Sequence, residues 1–367
     1  MNMASILGSI SFPGREEEAK VLVLSLISRQ HCILFGPPGT AKSLLISTLA
    51  KQFNVPYFEY QLNKYTLPEE LFGVPNIKLL REQGVYQLIT TGKLPEARLA
   101  FLDEIFKGSS AILNTLLTIL NERKFFDGMQ MRECPLWTCL GASNEVPSEP
   151  ELQAFYDRFL FRVWSEYLPP ERWEELLNAY WITHQPTYQK NLQSFDFKVV
   201  EEAHNKLWSV NVFTVKKELL EIFAKLRDQK IEISDRRKGR CLIAIAANAI
   251  LNGRDSASPE DLLTLKYVIP TIKDEVNVVE QVIIDVAGSM LKVRQQLREL
   301  IPQIQGLVSE LERTQSFEEA LKVAEKLKPL YNKFTDLKLT AGDLEEVKTV
   351  ENLINEFSNL LVKKVRV

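Results

Sequence analysis

The sequence predicts an α/β fold, a parallel sheet held between helices and continued by an all-helical remainder. Three observations lead there. Through residues 31–168 short apolar runs alternate with stretches of helical spacing, as strands joined by crossover helices do. One run opens into the turn-rich segment "GPPGTAKS" directly ahead of an amphipathic stretch. After "YLPPERWEELL" (167–177) the strand-like runs stop.

Taken in order, "CILF" (32–35) reads as a buried strand, and Lys42–Phe53 as a helix with Leu44, Leu45, Thr48 and Leu49 at helical spacing. "IKLLREQGVYQLI" (77–89) suggests a hairpin with two strand arms about "EQG". "RLAFLDE" (98–104) and "LWTCLGASNE" (136–145) are further strands, with a helix over Ala111–Glu122 between them. "KFFDGMQM" (124–131) turns at Asp127-Gly128, a strong hairpin signal. Downstream, Met290, Val293, Leu297, Leu300, Ile304, Leu307 and Leu311 form a helical seam interrupted by Pro302, which should kink or split the helix. Ser316 and Glu319 read as a capping box, and Leu344, Val347, Ile354, Phe357 and Leu361 continue the seam in a last helix.

Composition narrows the class. A chain of 367 residues suggests two or three domains. A net charge of −3 and a pI near 5.9 do not favour a nucleic-acid coat. Cys32, Cys134, Cys139 and Cys241 form no C-x-x-C pair and read as reduced thiols. The N-terminal "MNMASILGSISFPGREEE" lacks a signal-like pattern, and "CLIAIAANAIL" is too short to span a bilayer, so a cytoplasmic chain is expected.

The chemistry concentrates at strand ends. Gly36-Pro37-Pro38-Gly39, with Thr40, Ala41, Lys42, Ser43 and Leu44 opening the next helix, has the parts of a phosphate loop: backbone N–H groups, a lysine for the outer phosphates and a hydroxyl for Mg²⁺. Ala41 stands where glycine is usual. It is acceptable if that position is right-handed, and costs about 1–2 kcal/mol if left-handed. "LAFLDE" ends in Asp103 and Glu104, an acid to hold Mg²⁺ and an acid to orient water. "GASN" presents Asn144 beside them. "YDRFLFR" offers Arg158 and Arg162, one turn apart if the stretch is helical. In "SDRRKGR" (234–240), Ser234 or Asp235 caps a helix whose first turns hold Arg236, Arg237, Lys238 and Arg240. Cations are disfavoured there, so an anion, such as a nucleotide phosphate, is the expected relief.

In sequence, "PGREEE", "GPPGTAKS", "LPEELFG", "LAFLDEIFKGSSAILNTLLTILNER", "GASNE", "YDRFLFR" and "ISDRR" resemble the MoxR family of AAA+ ATPases, most of all its RavA (regulatory ATPase variant A) branch, over about residues 12–270. The resemblance implies an AAA+ core (1–168), a helical lid (169–275) and a helical extension (276–367). It assigns Lys42 and Ser43 to Walker A, Asp103 and Glu104 to Walker B, Asn144 to sensor 1, Arg158 to the arginine finger and Arg236 to sensor 2, with ATP/ADP and Mg²⁺ as cofactors. Arg236 would then close the lid on its own subunit's nucleotide. The segments 77–89 and 124–131 resemble the helix-2 and pre-sensor-1 inserts. A hexameric ring that remodels protein clients is implied, working with a separate von Willebrand A partner because the chain has no D-x-S-x-S motif of its own. The small β-rich insertion of RavA-like extensions has no counterpart in 276–367. A nucleic-acid motor is the alternative, opposed by the Asp127-Gly128-Met129-Gln130 hairpin tip, which carries no cation.

Overall fold

The computed structural model describes residues 3–10, 12–128, 130–185, 192–314, 316–341 and 345–365. Helices α1 (Met3–Ser9) and α2 (Glu16–Ser28) lead into strand β1 (His31–Phe35), the phosphate-loop candidate, helix α3 (Lys42–Lys51) and strand β2 (Tyr57–Gln61). An excursion follows: α4 (Pro68–Phe72), β3 (Val74–Pro75), α5 (Ile77–Gln83) and β4 (Leu88–Ile89). The chain returns through β5 (Leu99–Asp103) and α6 (Ser110–Glu122), projects the pair β6 (Lys124–Asp127) and β7 (Gln130–Glu133), then adds β8 (Thr138–Ser143), α7 (Pro150–Tyr156) and β9 (Phe159–Trp164). Helices α8 (Trp173–Thr183), α9 (Lys198–Leu207), α10 (Lys216–Asp228), α11 (Asp235–Leu251), α12 (Asp274–Arg313), α13 (Phe317–Ala341) and α14 (Glu345–Val365) complete the described chain.

The five core strands are all parallel, in the order β2-β5-β8-β1-β9. Every residue of β1 and β8 is buried, as apolar runs covered on both faces should be. Ile33, Phe35, Leu102, Ile112, Leu116 and Phe159 share one core. All four cysteines are buried and free.

The chain divides into two compact units: residues 1–210, 233–255 and 264–277 form the first, and 211–232, 256–263 and 278–367 the second. In the first, α9 and α11 pack against α2. In the second, Leu297, Leu300, Ile304 and Leu311 of α12 meet Ala320, Phe334, Val350 and Phe357 of α13 and α14 in a separate core. Pro302 does not split α12, which runs unbroken past it. Buried Leu300 and Ile304 on either side hold the helix against its neighbours and outweigh the missing hydrogen bond. Ser316 does cap α13, its hydroxyl accepting from Glu319 N–H at 3.3 Å. Leu344, Met129 and the side chain of Met290 lie outside the described residues.

Two local expectations are corrected. The first arm of 77–89 is helix α5, not a strand: Asn76 Oδ1 accepts from Leu79 N–H at 3.1 Å as N-cap, and Gly84 closes the helix at φ 65°. The strand pair lies outside it, Val74 opposite Ile89 and Pro75 opposite Leu88. "FLFR" is not helical but part of β9, pairing in parallel with β1, so Arg158 and Arg162 are not one helical turn apart. Phe159 and Phe161 are fully buried, and parallel pairing on β1 overrides any local helical tendency.

The 124–131 hairpin forms as expected and is latched to the excursion. Asp127, buried, accepts from Leu88 N–H at 2.6 Å and from Arg132 at 2.8 Å. Gly128 has φ 67°, and a Cβ there would stand 1.9 Å from the Tyr86 carbonyl oxygen. Gly128→Ala is expected to destabilise this latch by about 1–3 kcal/mol, read as faster hydrogen exchange in residues 74–89; unchanged exchange would refute the latch. Burial pushes the Asp127 carboxyl up, but the Leu88 and Arg132 hydrogen bonds hold it below the usual range overall. Its stabilisation is therefore present above the unfolded carboxylate pKa and lost as pH falls through the folded value.

Candidate active site

The loop after β1 is shaped by three constrained positions. Gly36 has φ 142°, and a Cβ on it would lie 2.3 Å from Ser165 O. Gly39 has φ 81°. Ala41 is left-handed, φ 63° and ψ 19°, immediately before α3. The right-handed geometry that would make alanine cost-free is thus not adopted: the loop must turn its N–H groups inward there, and alanine bears the strain. Ala41→Gly is expected to raise stability by roughly 0.5–1 kcal/mol, the left-handed penalty less the entropy of glycine, measurable as a higher denaturant midpoint. A lowered midpoint would contradict the strain.

Lys42 is buried and its ammonium donates to the carbonyls of Gly36 at 2.7 Å and Pro37 at 2.8 Å. Burial lowers its pKa, Asp103 and Glu104 oppose that, and Arg15 adds to it. Ser43 is exposed at the start of α3. These residues line a cleft of about 280 Å³ together with Gly39, Asp103, Glu104 and Asn144.

Asp103 ends β5, and its Oδ1 accepts from Glu104 N–H at 2.9 Å. Glu104 is left-handed at φ 50°. Its two carboxylate oxygens are held apart: Asn144 Nδ2 donates to Oε1 at 2.7 Å and Lys107 lies 3.2 Å from Oε2. A strained acid with both oxygens positioned is suited to aligning a nucleophilic water. Gln61 also lines the cleft. It had no sequence signal, because only the pairing of β2 with β5, which sets Gln61 opposite Asp103, brings it there.

Arg158 lies at the other end of the sheet, and Arg162 midway along it, opposite Ile33. Phe35 pairs with Trp164 at the loop end, and His31 with Phe159 at the far end. Arg158, just before Phe159, is therefore a strand length from its own loop, about 15 Å at ~3.3 Å per residue. Around it the Asp157 carboxylate pairs with several cations, Arg237 at 2.5 Å and Arg162 and Arg236 each at 3.9 Å, and Glu275 also acts on Arg162. Arg240 is pushed down by burial, held up by Asp157, and repelled by Arg236, Arg158 and Arg237. Arg162 is buried, donating to Pro270 O at 3.1 Å, with its guanidinium 3.8 Å over the Tyr156 ring. Arg158 is only half-buried, and its Nε has no hydrogen-bond partner among the described residues. Ser234 is the cap of α11, accepting from Arg237 N–H at 3.3 Å.

Arg236 has a partner within its own chain. Its contact is Asp157, beside Arg158, at the end of the sheet away from its own Lys42. The helix that carries it, α11, packs on α2. Part of the relief for the crowded cations is a carboxylate of the same chain rather than a phosphate.

A parallel sheet of this order, with a phosphate loop after its fourth-placed strand and an acid pair and asparagine on the adjoining strands, defines a P-loop ATPase of the AAA+ class. Residues 4–202 match the MoxR domain of the MoxR-vWA-beta-propeller ternary systems, and residues 211–283 match an AAA lid domain. The chain belongs to the MoxR family of AAA+ ATPases. It is 32% identical to the Methanocaldococcus jannaschii protein MJ0812, over 94% of this chain and 93% of that one. It is 24% identical to chaperone MoxR1 of Mycobacterium tuberculosis, over 71% of this chain and 70% of the relative. A solved structure of a proposed ATPase from Cytophaga hutchinsonii shares the fold, with a TM-score of 0.62 and 20% identity over 76% of this chain and 92% of that one. Among the described residues no helix is long and apolar enough to cross a membrane.

Proposed function

We propose that this chain is an ATP-hydrolysing machine that remodels or matures protein clients, built as a cytoplasmic ring of six subunits in which each nucleotide site is completed by the adjacent protomer. The observation that carries it is the separation along β9: Lys42, Asp103 and Glu104 stand at one end, and Arg158 with its cationic cluster at the other. Asp157 in direct contact and Glu275 acting on Arg162 do not balance Arg158, Arg162, Arg236, Arg237 and Arg240, and a neighbour's γ-phosphate supplies the missing anion. Arg158 and Arg236 thus act in trans.

Within one site, Lys42 exchanges its two carbonyl partners for the β- and γ-phosphates. Asn144 keeps Glu104 aimed at the attacking water, and Glu104 orients that water for attack on the γ-phosphorus. The donor set fits Mg²⁺: the Ser43 hydroxyl and the Asp103 carboxylate are hard oxygen ligands on one cleft. When bound, Mg²⁺ would neutralise charge on the β- and γ-oxygens.

The three-part division at 168 and 275 belongs to this proposal, as does RavA-like ancestry, which the three-helix core of α12–α14 supports. A separate von Willebrand A partner is supported by the systems in which the matching MoxR domain is described. The Asp127 carboxylate, buried in the hairpin turn, opposes a motor that tracks nucleic-acid phosphates. The test is dilution. ATPase activity per subunit should rise with protein concentration and level off as light scattering reaches ring mass. Constant activity down to monomers would overturn the ring.

A further inference from the structure

Helix α8 carries Trp173, Leu176, Leu177, Tyr180, Trp181 and Ile182, all exposed, and no described side chain of the helix is buried. Leu177 is 69% exposed and Trp181 75%. Residues 173, 176, 177, 180 and 181 follow the i, i+3, i+4, i+7, i+8 rule of a buried stripe. An 11-residue helix is too short to hold itself together in water. Six large apolar side chains exceed the scattered exposure that monomers tolerate, whose largest patch is roughly 300–600 Å². Such a stripe calls for a cover.

Two features indicate what. The segment joining β9 to α8 forms the rim of the nucleotide loop: Ser165 O abuts Gly36, Tyr167 Oη donates to Pro38 O at 3.2 Å, and Arg172 pairs with Glu16 at 2.7 Å. An adjacent protomer delivering Arg158 must approach this rim. The charges also match. Exposed Glu171 and Glu174 flank the start of α8, with Glu175 paired to Arg172, whereas the surface that carries Arg158 presents Arg236 and Arg240, with Lys238 paired to Asp235.

We propose that α8 is a docking arm for a second copy of this chain, its apolar stripe covered by the protomer whose Arg158 enters the site. The proposal rests on the trans-acting arrangement above and adds a surface to it. Leu177→Glu and Trp181→Glu should each raise the protein concentration for half-maximal ATPase at least tenfold and lower the mass seen by light scattering with ATP. Dilute variants should bind a fluorescent ATP analogue as wild type does and keep its thermal midpoint, which separates lost docking from misfolding. In wild type, α8 amides should exchange rapidly in dilute protein and become protected on assembly. Variants that assemble at wild-type concentration overturn the proposal, as does equal protection of α8 in dilute and assembled protein, which would mean that its own chain covers it. If Leu177→Glu assembles normally while a mixture of Arg158→Ala and Lys42→Ala regains activity, α8 fails and the ring stands. If wild type turns over fully as a monomer, the ring fails and the docking arm with it.

Discussion

Glu104→Gln is expected to reduce ATP turnover by about 10²–10⁴-fold, the range for losing a positioned base, while ATP remains bound. The amide keeps the shape of the side chain, and its one carbonyl oxygen can still accept from Asn144, which holds Glu104 at 2.7 Å, while its NH₂ loses the Lys107 pairing at 3.2 Å. It cannot take a proton from water. Asp103→Asn should behave differently, weakening the Mg²⁺ dependence of binding as well as turnover, because Asp103 is the proposed metal ligand. The check is a pair of measurements, steady-state phosphate release and retention of a fluorescent ATP analogue. Turnover by Glu104→Gln at the wild-type rate would remove Glu104 from the mechanism.

The second large effect concerns Arg158. A guanidinium supplied to a γ-phosphate across an interface is worth about 10³–10⁵ in rate, so Arg158→Ala should bind ATP yet hydrolyse it poorly. Lys42→Ala should be inactive for the other reason, with lost ATP affinity and an intact Arg158. Mixing the two inactive proteins should restore partial activity, since some interfaces pair an intact loop with an intact arginine. Mixed assemblies that stay inactive would exclude a trans role for Arg158. Arg162→Ala serves as a contrast with a different signature. Arg162 is buried under Tyr156 and Pro270, so its loss should lower the thermal midpoint, and mixing with Lys42→Ala should not rescue it in the same way.

Much of the site was legible because phosphate chemistry is local. A strand, a turn rich in glycine, and a lysine and hydroxyl at a helix start are contiguous in "ILFGPPGTAKS", and the acid pair ends a second apolar strand. Their convergence follows from parallel pairing, which puts the carboxyl ends of β1, β5 and β8 at one edge. What escaped notice depended on contacts between distant segments. Gln61 has no local mark. The strain at Ala41 and Glu104 lies in backbone angles that the letters do not carry. The 77–89 segment misled because its apolar residues fit a strand arm as well as a short helix, and the Asn76 and Gly84 caps decided between them.

The sequence by itself determined the α/β class, the core strands β1, β5 and β8 with helices α3 and α6, the phosphate loop, the acid pair and the misplaced cations of 234–240. These depend on periodicity, turn chemistry and local charge, all readable within some ten residues. The tertiary structure alone decided which cations share a carboxylate, that Arg236 stands beside Asp157, that Asp127 latches two excursions together, and that α8 is uncovered on its own chain among the described residues. Those outcomes follow from strand register and from the packing of α11 on α2. They are long-range pairings whose energy comes from burial against residues far away in the chain, and no local pattern encodes them.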